Sequence, residues 1–163
     1  GLTAGVGAEP PPQRDATALG GGGVSARWNN DSVERLPAGA HRAIGATGAT
    51  AHVASAPGAF ELPFAARVLI ESGEVDAVVV LGAVIHGETT HYELVSQCCA
   101  QGIMQVQIET GTPIGMGILT VENIDQALVR SEPAGGHNVG EEATLAVIEM
   151  ALLAGRARAS RPE

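Results

Sequence analysis

Apolar residues along this chain fall into two kinds of run. Short, dense stretches rich in valine are separated by longer ones in which apolar side chains return every third or fourth position. The densest is Ala77–Ile85, the unbroken pattern of a strand covered by helices on both faces of a parallel sheet. Residues 50–54 and 113–119 read as shorter strands. A further strand should end near Arg27, although Gly20, Gly21, Gly22 and Gly23 supply no side chains and leave its pattern faint.

Helical spacing fills the gaps between them. Val33, Leu36, Ala40 and Ile44 share one face behind a start at Asn29 or Asp31, with Pro37 expected to kink the helix. Residues 60–72 follow, with Pro63 in the tolerant first turn and Gly73 as the stop. Thr90 with Glu93 reads as a capping box opening a helix over residues 91–108, whose buried face carries Tyr92, Val95, Cys99, Ile103 and Val106. Thr120 or Asn123 starts a short helix bearing Ile124, Ala127 and Leu128, and Asn138 with Glu141 caps a last helix ending near Gly155. The order βαβαβαβαα with short links predicts an α/β fold with right-handed crossovers. The expected architecture is a flavodoxin-like three-layer sandwich, a central four-stranded parallel sheet flanked by helices.

At 163 residues the chain forms one domain, able to bury roughly 70% of its unfolded surface. That domain is expected over residues 20–155. Residues 1–19, with Pro10, Pro11 and Pro12 and no period, read as a mobile arm, and residues 156–163 as a fraying tail. The formal charge of -9, from 9 Lys+Arg against 18 Asp+Glu, argues against nucleic acid or an anionic membrane as the main partner. No run is long and apolar enough to span a bilayer, and the first residues lack the pattern of a signal peptide, so the expected compartment is the cytoplasm. Cys98 and Cys99 are adjacent on a predicted helix, where their side chains diverge; they read as small core residues.

Candidate chemistry gathers at the carboxyl end of the central strand. Gly87 permits a tight turn, and residues 87–90 then lead into a helix whose free N–H groups and positive dipole end suit an anion. The chain has one Trp, one Tyr and two Phe. Trp28, Phe60 and Tyr92 all fall just after predicted strands, so scarce ring surface concentrates on the rim where a planar ligand could stack. Glu61 stands at a helix start, and His91 on the same rim is suited to moving protons near neutral pH. His86 and His91 have no Cys or Asp nearby to complete a metal set. The glycine tract precedes its strand and is no dinucleotide fingerprint, the loop near Thr89 lacks a Gly-Lys-Ser/Thr ending, and no serine or cysteine nucleophile motif occurs.

Five stretches carry a resemblance: Arg27-Trp28-Asn29, Pro-Gly-Ala-Phe-Glu-Leu-Pro at 57–63, Leu-Gly-Ala-Val-Ile-His-Gly-Glu-Thr-Thr-His-Tyr at 81–92, Gly-Met-Gly-Ile-Leu-Thr at 115–120, and Glu-Ala-Thr-Leu-Ala-Val-Ile-Glu-Met at 142–150. In order and spacing they resemble the lumazine synthase family. The resemblance implies condensation of 5-amino-6-(D-ribitylamino)uracil with 3,4-dihydroxy-2-butanone 4-phosphate, the penultimate step of riboflavin biosynthesis, without metal or organic cofactor. It also implies roles. Trp28 would stack on the pyrimidine, Ala59, Phe60 and Glu61 would hold the ribityl chain, and Ala83, Val84 and Ile85 would present backbone groups to the ring. Glu88 and Thr89 would bind phosphate, His91 would transfer protons, and Arg130 of an adjacent subunit would clamp the phosphate.

The implied partners are small-molecule substrates and further copies of the chain, as a homo-oligomer built from pentamers with sites at subunit interfaces; riboflavin synthase is a further partner the resemblance suggests. The family usually has a basic residue where His86 stands, an aromatic ring where Met116 stands as a substrate-binding residue, and a lysine in the loop now occupied by residues 131–139. These departures leave a second reading, a shell subunit with little catalysis or a flavin or lumazine binder.

Overall fold

The computed structural model describes residues 15–27 and 31–162, and for residues 31–33 the backbone only. Trp28, Asn29 and the first part of the proposed arm lie outside the described residues. Four strands, β1 (Gly20–Ala26), β2 (Thr50–Ala56), β3 (Ala77–Ile85) and β4 (Ile114–Val121), form one all-parallel sheet in the order β2-β1-β3-β4. The helices are α1 (Asp31–Thr47), α2 (Leu62–Glu71), α3 (His91–Thr110), α4 (Ile124–Leu128) and α5 (Val139–Ala159). This is the three-layer α/β sandwich that the apolar pattern predicts.

The alternation along β3 builds both faces. Val78, Val80 and Val84 join a core with Val24, Leu62, Ala66, Cys99 and Ile103 under α2 and α3, whereas Ala77, Val79, Leu81 and Ala83 join Leu36, Ala40, Val147 and Ala151 under α1 and α5. Each of the larger aliphatic side chains contributes about 1.5–3 kcal/mol when fully buried. Small residues let α5 lie close: a Cβ at Gly115 would meet the Ala143 carbonyl oxygen at 2.6 Å, and one at Gly140 would run into the Leu36 carbonyl oxygen.

Glycine shapes β1 as well. A Cβ at Gly20 would strike the Glu74 carbonyl oxygen and one at Gly22 would meet Val75, Val78 and Leu69 at 3.2–3.3 Å, yet Gly21 and Gly23, on the other face, have room. Gly23 and Ser25 there line a hollow of about 370 Å³ beneath α1, between Ile44, His41 and the edge strand β2, on which Val53 is 79% exposed.

α1 runs as one helix with Pro37 inside it, and buried Leu36, Ala40 and Ile44 anchor it on either side of the missing N–H bond. Two details depart from the sequence reading. α5 does not stop at Gly155; it runs to Ala159, and Arg158 Nη2 donates to the Gly111 carbonyl oxygen at 2.8 Å, so part of the expected fraying tail is helical and tethered. The capping box at Thr90 is not made. Thr90 has ψ near 0°, no side-chain cap bond forms, and the acceptor for the His91 N–H is Thr89 Oγ1 at 3.3 Å. An N-cap residue that caps its own helix is extended, which Thr90 is not. Among the described residues no helix is long and apolar enough to cross a membrane.

Candidate functional site

The carboxyl ends of β1, β2 and β3 open onto a cleft of about 590 Å³. Each wall follows from local sequence. From β1 come Ala26 and Arg27, the latter donating from Nη1 to Ser55 Oγ at 3.2 Å. After β2, Pro57 and Gly58 turn the chain into a 3₁₀ turn, Ala59–Glu61, which buries Ala59 and leaves the Phe60 ring 63% exposed. Glu61 sits at the N-cap position of α2 without a side-chain cap bond, so its carboxylate is not spent on its own helix. Ala83, Val84 and Ile85 at the end of β3 form the floor, and Gly87, Thr89, His91 and Tyr92 with Leu94 and Val95 of α3 close the far side.

The cleft therefore brings together Ala59, Phe60, Glu61, Ala83, Val84, Ile85, Thr89 and His91. Among the described residues, Glu88, Met116 and Arg130 do not line it. Glu88 is exposed on the loop and does not line the cleft. Met116 lies 47% exposed on edge strand β4, and Arg130 follows α4, where its Nη1 donates to the Gln126 carbonyl oxygen at 2.9 Å; neither lines the cleft of its own chain. Trp28 is outside the described residues, one position beyond Arg27.

The lining is largely apolar, with His91, Glu61 and Arg27 as its ionisable groups and Tyr92 as a half-buried phenol. His91 is exposed at the first position of α3, a 20-residue helix. Its setting is the positive end of a long helix dipole, which favours a bound anion and a developing negative charge. An apolar cleft with a few convergent polar groups is suited to a planar ring bearing a polar chain. Among the described residues no group of three or more His, Cys, Asp or Glu is placed to hold a metal ion.

Leu94, Val95 and Arg27 were not selected as site residues from the sequence. A signal for two of them existed: Leu94 and Val95 stand one helical turn after His91 and so share its face. Arg27 is adjacent to Trp28 but points toward Ser55 on β2, an orientation that no periodicity reveals.

Residues 21–154 match the family described as 6,7-dimethyl-8-ribityllumazine synthase. Proteins of that name similar to this chain include one from Deinococcus deserti, 46% identical over 77% of this chain and 82% of its own length. Another, from Kineococcus radiotolerans, is 45% identical over 86% and 88% respectively. A third, from Clavibacter sepedonicus, is 41% identical over 87% and 92%.

Proposed function

The chain belongs to the 6,7-dimethyl-8-ribityllumazine synthase family, and from that membership we infer that it catalyses the lumazine-forming step of riboflavin biosynthesis. The reaction joins 5-amino-6-(D-ribitylamino)uracil to 3,4-dihydroxy-2-butanone 4-phosphate and releases phosphate and water. The observation that carries the reading is the cleft at the carboxyl ends of β1, β2 and β3, where a histidine, a helix start and an exposed ring converge within the matched region.

The chemistry asks for proton transfers and anion stabilisation in one place. The 5-amino nitrogen attacks the ketone carbon, and loss of water gives an imine. Loss of a proton alpha to the imine expels phosphate, taking the C–O bonding pair with it. The resulting enol becomes a ketone, and the ribitylamino nitrogen closes the ring with loss of a second water. We assign the proton transfers to His91, whose imidazole stands on the rim and can both accept and return a proton. Phosphate would sit against Thr89 and the main-chain N–H groups at the start of α3, with Glu88 contributing through the loop backbone and not its carboxylate, and Phe60, Glu61 and the Ala59 backbone would hold the ribityl chain. Ala83, Val84 and Ile85 would meet the pyrimidine edge with backbone groups, and Trp28 would stack on its face. Holding both substrates in one apolar cleft supplies the proximity that a condensation needs.

Arg130 and Met116 fit this reading as residues of a neighbouring chain's site, since each lies away from its own cleft. We propose a homo-oligomer built from pentamers, working in the cytoplasm, with riboflavin synthase as the enzyme that receives the product. The test incubates purified protein with both substrates and follows lumazine fluorescence together with phosphate release. Equal amounts of both products at enzyme-dependent rates support the reading; fluorescence and phosphate no faster than in buffer would reject it.

A further inference from the structure

His86 is the first residue after β3, and its backbone N–H donates to the Val121 carbonyl oxygen at 2.8 Å as the last rung toward β4. Its ring reaches two other elements. Nε2 lies 3.4 Å from Glu93 Oε1 in the first turn of α3, and Nδ1 lies 3.6 Å from Glu122 Oε2 just past the end of β4. The same ring meets Tyr92 edge-on, with centroids 4.9 Å apart. The groups that face it are therefore Glu93 and Tyr92 from α3 and Glu122 from the end of β4.

At these separations the contacts are ion pairs and not hydrogen bonds, and a ring nitrogen faces each carboxylate, so the ring attracts both only as the imidazolium. We propose that His86 is a positioning residue whose positive charge braces the loop of residues 87–90 and the first turn of α3, and through them Thr89 and His91. The brace spans the two ends of that loop. Its strength depends on ionisation of one group, because carboxylates and phenols ordinarily do not titrate across about pH 5 to 8, whereas histidines do. It is strongest on the acidic side of that window and weakens as the pH rises. Glu93, which the sequence pairs with Thr90, is in this arrangement a partner of His86.

The substrate part of this inference rests on the lumazine-forming reading above; the conformational part does not. Its test therefore has two readouts on wild type, His86→Gln and His86→Arg, the arginine being charged at every pH used. Hydrogen exchange of the amides of residues 87–93, corrected for intrinsic rates, reads loop order without any turnover. Because two partly exposed ion pairs are at stake, wild-type protection should fall roughly three- to tenfold from pH 5.5 to pH 8. His86→Gln should show the lower protection at both values and His86→Arg the higher at both. In the condensation assay KM for the butanone phosphate should follow the same pattern, with kcat changed less. Identical exchange in all three proteins would overturn the brace. Absence of turnover in wild type, with exchange behaving as expected, would overturn the functional reading alone. Unequal exchange with identical KM values would confine His86 to loop order and reject its effect on the site.

Discussion

α3 and α5 both start on the carboxyl side of the sheet and run back along it, but their first turns are finished in opposite ways. Asn138 opens α5 from full burial: its Oδ1 accepts from the Glu141 N–H at 3.0 Å, and its Nδ2 donates to the carbonyl oxygens of Arg35 and Glu132, each at 3.0 Å. Every polar atom of that side chain is used within the fold. α3 begins in the open, with Thr90 making no cap bond and Thr89 accepting one long bond from the His91 N–H. Most of its first N–H groups lack a side-chain partner from the loop before them. The contrast separates a helix start that holds the scaffold together from one whose donors remain for something outside the chain.

The comparison can be broken at either end. Asn138→Ala should cost the most, about 2–4 kcal/mol, since it deletes a cap and leaves two carbonyls without their donor. Urea unfolding measures this, and a loss under about 1 kcal/mol would mean that the α5 start is not the structural one. His91→Ala should lower turnover by up to about 10²-fold, the low end of general acid–base contributions, while unfolding free energy moves by less than about 0.5 kcal/mol. A pH–rate profile superimposable on wild type would remove His91 from proton transfer.

Smaller effects should sharpen the contrast within the loop. Thr89→Ala removes the acceptor for the His91 N–H and should raise KM for the phosphorylated substrate roughly two- to tenfold, leaving KM for the pyrimidine nearly unchanged. If the pyrimidine KM rises instead, Thr89 serves the other half of the cleft. Thr90→Ala should be the mildest, within about 0.5 kcal/mol of wild type in unfolding, because no cap bond is there to lose. A cost near 1 kcal/mol would show that Thr90 caps α3 in solution after all.

The same contrast explains what was legible in the sequence. β3 announced itself because an unbroken run of nine residues, eight apolar and one glycine and rich in valine, reads as a strand buried on both faces. Asn138 with Glu141 was legible because a scaffold cap is a local arrangement, and local arrangements leave local patterns. Thr90 with Glu93, a capping residue followed three positions later by Glu, has the same spacing and failed, since the Glu93 carboxylate lies near His86 across the loop and Thr90 is not extended. At Gly155 a residue that can end a helix did not, because Arg158 fastens the next turn to Gly111 from a distance of 47 residues. For Met116 and Arg130 the limit is different in kind. Both sit outside their own cleft, and hydrophobic period within one chain carries no information about what a second chain would place there.

The glycine tract of β1 has a bearing on how freely this sequence can be altered. Gly20 and Gly22 are enforced by their neighbours, so side chains there would push against backbone or packed valines. Gly21 and Gly23 are not: a Cβ at Gly21 would find its nearest atom at 3.7 Å and one at Gly23 at 3.6 Å, both ordinary contact distances. Glycine in a strand interior forfeits roughly 0.5–1 kcal/mol relative to alanine through the freedom of the unfolded chain. The strand beside the cleft thus holds unused thermostability, and Gly23, at the edge of the hollow under α1, is where an engineer would begin to recover it.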